Sequence, residues 1–441
     1  MKSGNLMSGI KRFERLMKMG SEEEEDDEKD KDKQVIDYKE WFETSEYSGF
    51  EESCSPMQYA RIIFHDMEIF LKHQGWTLDK VIRYKRSDTI RVSANRGSFT
   101  KDGVEHYYYG NGHLFYTRDE LRIIVNQQIS TWGSSIEIFN EDVDVPEDIW
   151  KDFKEYHTTS GVLKRAKFDM NYRFITPRGR TWDDIIMSQA KKDIFRTNVT
   201  NVINYNEELN DADIKTCRGI ILCGPPGVGK TLTCDALVSE VDETVIYVTN
   251  ETMQERGDIV KVFNFARKLA PTLIIFEDID TLGTEQRSLS GGSPLLAEFL
   301  NSLDGIEENS GVVTIASTNH SENLDWALLR PGRFEIRVDY DYPDQNKRED
   351  LFNMFLEGKS NLDDININGL ARACTEHMTG AHIKEVVTHA GLIAGDESDM
   401  QDLVIRQKHL AEAMTRTLIT QESFSKERGH ISGPVESGQW N

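Results

Sequence analysis

Eight residues, Gly224-Pro225-Pro226-Gly227-Val228-Gly229-Lys230-Thr231, constrain this chain more than any others. They fit the pattern G-x-x-x-x-G-K-[ST], and their flanks fit as well. Gly219 to Cys223 reads as a short buried strand, and Thr231 to Val238 reads as a helix. A strand, a glycine loop and a helix N-terminus in that order make an anion cradle. Glycines 227 and 229 let the backbone curl so that successive N–H groups face phosphate oxygens. Lys230 adds a cation near the β- and γ-phosphates, and Thr231 offers a hydroxyl to Mg²⁺. The expected ligand is a nucleoside triphosphate, held by Gly224, Pro225, Pro226, Gly227, Val228, Gly229, Lys230, Thr231 and Leu232.

Length and composition set the frame for this loop. The 441 residues have room for two or three domains, and 38% hydrophobic with 29% charged residues is the balance of a soluble globular chain. No apolar run approaches the roughly 18 residues of a membrane span, and the N-terminus lacks the apolar core of a signal peptide. The five cysteines, Cys54, Cys217, Cys223, Cys234 and Cys374, form no C-x-x-C pair and no metal-ligand spacing. Reduced thiols and a cytoplasmic location are expected. A formal charge of −24 opposes broad nucleic-acid binding, which needs clustered cations.

Taken in order, the chain opens on Leu6, Ile10, Phe13 and Met17, spaced for one helical face among five basic residues. Such a segment suits a membrane surface, a partner, or a terminal helix without a fixed contact. The acidic run Glu22 to Glu28 and the Lys/Asp alternation after it repel themselves and read as a solvated linker. Residues 1–36 are therefore expected to lack fixed structure.

Residues 37–165 read as a small α+β domain. Ser55-Pro56-Met57-Gln58 opens a helix, Thr89 to Ser93 reads as a strand, and Gly110-Asn111-Gly112 signals a hairpin between aromatic runs. Thr117-Arg118-Asp119-Glu120 predicts a second capped helix, and Ile136 to Phe139 a further strand. The aromatic residues suit a sheet core better than a base-stacking surface, because no basic residues interleave them.

Thr176-Pro177 marks a boundary to an α/β region, residues 176–342. Its strand candidates are residues 219–223, 244–249, 273–276, 312–318 and 336–339, separated by helical segments, which implies a parallel sheet. Ligands of such sheets bind at the carboxyl ends of the strands. Residues 343–422 read as all-helical, and 423–441 as a flexible tail. Leu273-Ile274-Ile275-Phe276-Glu277-Asp278-Ile279-Asp280 is an apolar strand ending in acids that can hold the water shell of Mg²⁺ and orient an attacking water.

With Thr318-Asn319 and Leu328-Leu329-Arg330-Pro331-Gly332-Arg333-Phe334, these motifs resemble the AAA family of ATPases over about residues 176–420. Residues 299–305, Trp182-Asp183-Asp184-Ile185 and Gly380-Ala381 resemble the family's helix before its sensor strand, its entry segment along the adenine pocket and its lid contact. The resemblance implies a P-loop parallel sheet with a C-terminal helical lid, and ATP and Mg²⁺ as ligands. It implies Asp184, Gly380 and Ala381 as further nucleotide contacts, and Thr231 and Glu277 on the metal side. Asp278 would polarise water and Asn319 would sense the γ-phosphate. Arg330 and Arg333 match paired arginine fingers that reach into a neighbouring subunit, which implies a homo-oligomeric ring, six subunits in most members. An arginine supplied in trans is worth factors of about 10³–10⁵ in rate.

The chain departs from the family pattern in four places. The acid order is Glu277-Asp278 where Asp-Glu is usual, as in the branch resembling the mitochondrial translocase that assembles respiratory complex III; without a membrane-spanning anchor in the sequence, that role is not implied. Ile186-Met187 stands where two glycines are common. Residues 251–257 lack the aromatic-glycine pore loop of protein-threading members. The Gly/Ser-rich stretch 283–293, with Arg287, suits either a second pore ring or a connector.

Three functions fit these observations. One is an ATP-hydrolysing ring that remodels, unfolds or moves a protein bound through the N-terminal domain. The second is a nucleic-acid motor or loader using Arg256, Arg287 and the N-terminal aromatics. The third is an ATP-gated scaffold with little turnover. The intact acids and both arginines count against the scaffold, and the acidic balance counts against the motor.

Overall fold

The computed structural model describes residues 41–42, 47–53, 57–83, 96–130, 133–142, 144–249, 252–253, 257–280, 294–304, 309–323, 325–397 and 404–431. The expected basic helix and acidic run, the strand candidate at 89–93, most of 251–257, Arg256, the stretch 283–293 and residues from 432 onward lie outside them. The chain folds into two compact units. The first comprises residues 1–176, 242–248 and 261–273, and the second 177–241, 249–260 and 274–441.

In the N-terminal part of the first unit, β1 (Ser48–Ser53) leads to helix α1 (Met57–His73), then β2 (Thr77–Arg83), β3 (Arg96–Lys101), β4 (Val104–Tyr109), β5 (Gly112–Arg118), β6 (Leu121–Ser130), β7 (Gly133–Asn140) and helix α2 (Asp144–Thr159). Five of these strands form a sheet in the order β1-β7-β6-β5-β2, with antiparallel pairing throughout. Alternation along the strands gives the sheet two apolar faces. Leu114, Tyr116, Ile123, Val125, Ile136 and Ile138 pack with Phe64, Met67 and Leu71 of α1 and Trp150 and Phe153 of α2. Phe115, Ile124 and Phe139 form a second cluster with Phe42.

Two expectations for this region fail, and local chemistry explains both. No hairpin forms at Gly110-Asn111-Gly112: β4 pairs with β3 in a separate ribbon, while β5 pairs with β2 and β6. Asn111 instead spends its side-chain oxygen on the Ile129 N–H, at 2.5 Å. The capped helix at Thr117 to Glu120 is also absent. Asp119 adopts a left-handed φ of 54° and turns the chain from β5 into β6, where the β-branched run Ile123-Ile124-Val125 favours strand.

A six-stranded parallel sheet carries the rest of the architecture. Its strands are β8 (Lys167–Asp169), β9 (Arg218–Cys223), β10 (Thr244–Val248), β11 (Thr272–Phe276), β12 (Val312–Thr318) and β13 (Ile336–Asp339), in the order β13-β9-β12-β11-β10-β8. Ile220 of β9 pairs with Ile315 on one side and Ile336 on the other. Residues of β11 and β12, and of β9 past Arg218, are buried whichever way they point, which is why β9 and β11 read as apolar runs and β12 as apolar residues with three small hydroxyls.

Helix α3 (Lys230–Glu240) follows β9, and α4 (Asp258–Lys268) and α5 (Pro294–Asp304) occur later in the chain. Four helices close the second unit: α6 (Gln345–Leu356), α7 (Ile367–Ala373), α8 (Gly380–Glu397) and α9 (Gln407–Ile431). Phe352, Leu356, Ile383, Val387 and Leu410 form their common core. The loose tail expected from Ser423 is helical to Ile431, in a stretch with no glycine before Gly429 and no proline. Among the described residues no helix is long and apolar enough to cross a membrane.

Candidate active site

The glycine loop leaves β9 and enters α3 at Lys230. Close approach of backbone explains two of its glycines. At Gly224 (φ 153°) a Cβ would lie 2.1 Å from the Tyr340 carbonyl oxygen. At Gly227 (φ 80°) it would lie 2.7 Å from Thr379 Oγ1 and 3.1 Å from Ala381 Cβ. The Gly227 carbonyl accepts from the Ala381 N–H at 3.2 Å, so the start of α8 is bonded directly to the loop.

Lys230 Nζ donates to the carbonyls of Gly224 (2.6 Å) and Pro225 (2.8 Å) and to Asn319 Oδ1 (2.7 Å). Burial lowers the pKa of its ammonium below the ordinary lysine value, with the charges of Asp278 and Asp280 opposing. Asn319 Nδ2 in turn donates to Asp278 Oδ1 at 2.9 Å. One amide side chain thus bridges the loop lysine and an acid at the end of β11.

The acids diverge after β11. Asp278 has a left-handed φ of 50°, a conformation costing about 1–3 kcal/mol outside glycine. Its N–H is held by Ser317 Oγ at 3.1 Å, and the residue lines the cavity beside the loop. Glu277 does not line that cavity. Its Oε1 is buried without a hydrogen-bond partner, and its charge adds to the burial that raises the pKa of the Cys234 thiol.

The cavity has a volume of about 750 Å³. Pro226, Gly227, Val228, Gly229, Lys230, Thr231 and Leu232 line one part of it, with Asp278 and Asn319 beside them. Ile185, Ile186, Met187, Leu351, Met354 and Phe355 supply apolar walls suited to a planar base, and Gly380 and Ala381 also face in. Of the residues expected to hold nucleotide, Gly224 and Pro225 do not line the cavity and reach it through Lys230.

Asp184 lines the cavity, yet its carboxylate is spent locally. It accepts the Thr181 N–H at 2.9 Å as a capping box and pairs with Arg180 at 3.3 Å. These contacts, the Thr181 N–H first, hold its carboxyl below the usual range. Tyr340 and Lys191 were not singled out in the sequence. Tyr340 is buried beneath the loop with its hydroxyl 2.8 Å from Thr233 Oγ1, and Lys191 Nζ sits 5.6 Å from its ring centre. The sequence signal for Tyr340 is slight: the first of two tyrosines, with Tyr342, just after the edge strand β13.

Arg330 and Arg333 lie away from the cavity, within their own chain. Arg330 is exposed, whereas the Arg333 side chain is only 11% exposed and forks onto Asp304, with Nε 2.7 Å from Oδ1. Its Nη1 also donates to the Ala327 carbonyl at 2.6 Å. The hydrogen bonds from Arg333 hold the Asp304 carboxyl below its ordinary range, with the Arg330 charge contributing.

The parallel sheet, the glycine loop at its carboxyl edge and the cavity beneath a helical lid define a P-loop nucleotide-binding module. Residues 220–342 match the family described as ATPase family associated with various cellular activities (AAA). The chain is 34% identical over 269 residues to a cell division cycle protein 48 homolog of Archaeoglobus fulgidus, covering 56% of this chain and 36% of that protein. It is 32% identical over 250 residues to ATP-dependent zinc metalloprotease FtsH 2 of Sphaerobacter thermophilus, covering 54% and 37%. A third relative, the ATP-dependent zinc metalloprotease FtsH of Helicobacter pylori, is 30% identical over 251 residues, covering 54% and 39%. The chain therefore spans well under half the length of these relatives. It carries an AAA-family module over residues 220–342.

Mg²⁺ fits the donors present. The cation keeps several waters and takes one or two protein oxygens beside substrate phosphates. Thr231 lines the cavity, and the orphaned Glu277 Oε1 is a buried acceptor of the kind a metal-bound water satisfies.

Proposed function

We propose that this chain hydrolyses ATP as a subunit of a homo-oligomeric ring, and that turnover drives remodelling, unfolding or translocation of a protein partner. The observation that carries the catalytic part is the Asn319 bridge from Lys230 to Asp278 at the mouth of the glycine loop. Backbone N–H groups of the loop and Lys230 bind the phosphates. The apolar walls from Ile185 to Met187 and from the lid receive the base, and Gly380 and Ala381 close over it.

Thr231, with Glu277 through water, would hold Mg²⁺, which would supply positive charge at the β- and γ-phosphates. Asp278, aimed into the cavity, accepts a hydrogen bond from the attacking water and orients it. Asn319 gives up Lys230 to the γ-phosphate while still donating to Asp278, so it reports whether that phosphate is present. Arg330 and Arg333 act on the neighbouring subunit's nucleotide, and the N-terminal α+β region receives the partner. In the single chain Arg333 rests on Asp304.

Exchange of the two acids tests the assignment. Asp278→Asn is expected to bind ATP and nearly stop hydrolysis, because an amide cannot polarise water as a carboxylate does. Glu277→Gln should act mainly on the Mg²⁺ dependence of the rate. If Glu277→Gln alone gives an ATP-trapped protein while Asp278→Asn still turns over, the two roles are exchanged.

A further inference from the structure

Asp280, the third acid of the turn, has no part in the mechanism above and does not line the cavity. Its carboxylate is nevertheless fully engaged. Oδ1 accepts from the Thr318 hydroxyl, and Oδ2 accepts from the Asn319 N–H at 2.9 Å. Thr318 is completely buried, and its Oγ1 also accepts the His320 N–H at 3.1 Å. The Thr318 carbonyl accepts the Gly224 N–H at 3.3 Å. Three consecutive residues at the end of β12 are thereby laced to their surroundings: Ser317 to the Asp278 N–H, Thr318 to Asp280 and the glycine loop, and Asn319 to Asp278 and Lys230.

An asparagine side chain turns about two torsions, so two distal contacts fix it only if its backbone is also fixed. Asp280 supplies that anchor at the Asn319 N–H and, through Thr318, sets the direction in which the chain leaves β12. We infer that Asp280 is a positioning residue for ATP hydrolysis: it holds Asn319 where one amide can span Lys230 and Asp278, without itself touching phosphate or water. This rests on the hydrolytic reading above.

The chemistry of Asp280 separates placement from charge. Asparagine at this position can still accept the Asn319 N–H through Oδ1 and donate to Thr318 Oγ1 through Nδ2, which restores the geometry without the charge. Alanine removes both contacts. In the full-length chain, Asp280→Ala is expected to lose about 10²-fold in kcat, the scale of an ångström-sized misplacement of a catalytic group. Its KM for ATP and its ADP affinity should stay close to wild type. Asp280→Asn should recover most of the lost turnover. Combining Asp280→Ala with Asn319→Ala should cost no more than Asn319→Ala alone, because both act through one side chain.

Steady-state ATPase rates, titration with a fluorescent ADP analogue and thermal melts read these outcomes together. Wild-type kcat in Asp280→Ala, additive losses in the double variant, or a well-folded Asp280→Asn with no rescue each overturns the inference. If Asp280→Ala does not fold, Asp280→Asn decides alone: retained turnover supports placement, and lost turnover in a stable protein overturns it. Absence of ATP hydrolysis by the wild-type chain would instead remove the hydrolytic reading, so the two failures are told apart by the first assay.

Discussion

Glu68 offers a test of the N-terminal region that does not depend on any catalytic role. It lies on α1, and its Oε1 accepts the Tyr109 N–H of β4 at 2.6 Å. Burial pushes its carboxyl up from 4.5 to about 7, against the opposing pull of the Tyr109 N–H and the Arg96 charge. Between those pH values the folded chain holds a proton that the unfolded chain has lost. Stability from this group is therefore full below pH 4.5 and falls as the pH rises through 7. At 1.36 kcal/mol per pH unit the gap amounts to about 3 kcal/mol, an upper figure because Glu68 keeps partial contact with solvent.

His113 on β5 runs the other way: burial pushes it down from 6.5 to about 4, so its contribution is lost as pH falls through that window. The two nearly cancel in the wild type, whose profile from these groups should be flat between pH 4 and 7. Glu68→Gln keeps an oxygen for the Tyr109 N–H and removes the ionisation. The variant should match wild type near pH 4.5, then gain steadily, and exceed it at pH 8 by up to about 3 kcal/mol. Hydrogen-exchange protection of the α1 and β4 amides, corrected for intrinsic exchange rates at each pH, reads this directly. A variant less protected than wild type at pH 8, or one with the same pH profile, would refute the reasoning.

Two further outcomes concern the nucleotide site. Gly227→Ala must hold a left-handed φ and crowd Thr379 and Ala381, which at about 1–2 kcal/mol should weaken ADP binding roughly tenfold in a calorimetric titration; unchanged affinity would mean that the lid contact is dispensable. Arg333→Ala should bind ATP yet hydrolyse it poorly, and mixing it with Lys230→Ala subunits should restore some turnover, since mixed rings rebuild complete sites. Mixed assemblies confirmed by mass photometry but without recovered ATPase activity would argue against arginines acting in trans.

The fold was legible where burial is two-sided or helical spacing is long. Gly219 to Cys223 and Leu273 to Phe276 are apolar throughout, and Val312 to Thr318 admits only small hydroxyl residues among its apolar ones, because both faces of β9, β11 and β12 are covered. Short or singly faced elements were not. The three-residue β8 has no pattern to read, and β2, with Asp79 and Lys80 inside it, exists because β5 lies beside it. Turn signals misled for a related reason: the same residue types serve turns and long-range bonds. Asn111 looked like a hairpin residue and bonds Ile129 instead. The true hairpin between β3 and β4 uses Asp102-Gly103, both with positive φ, a pair that stood unread in the sequence.

The site divides along the same line. The glycine loop could be read because its constraint is local: each glycine, the lysine and the threonine act from consecutive positions. The division of labour among the acids could not, because it turns on one backbone torsion. Both acids lie past the last residue of β11, so strand alternation does not place them. The left-handed turn at Asp278 puts that residue on the cavity wall and leaves Glu277 beside Cys234. An aspartate there is one methylene shorter than the glutamate that is usual in the family at that position. Asn319 Nδ2, bonded to Asp278 Oδ1 at 2.9 Å, fixes the direction of that shorter carboxylate. Under the proposed function, the inverted acid order therefore places a greater demand on the placement of Asn319, and Asp280 is the residue that meets it.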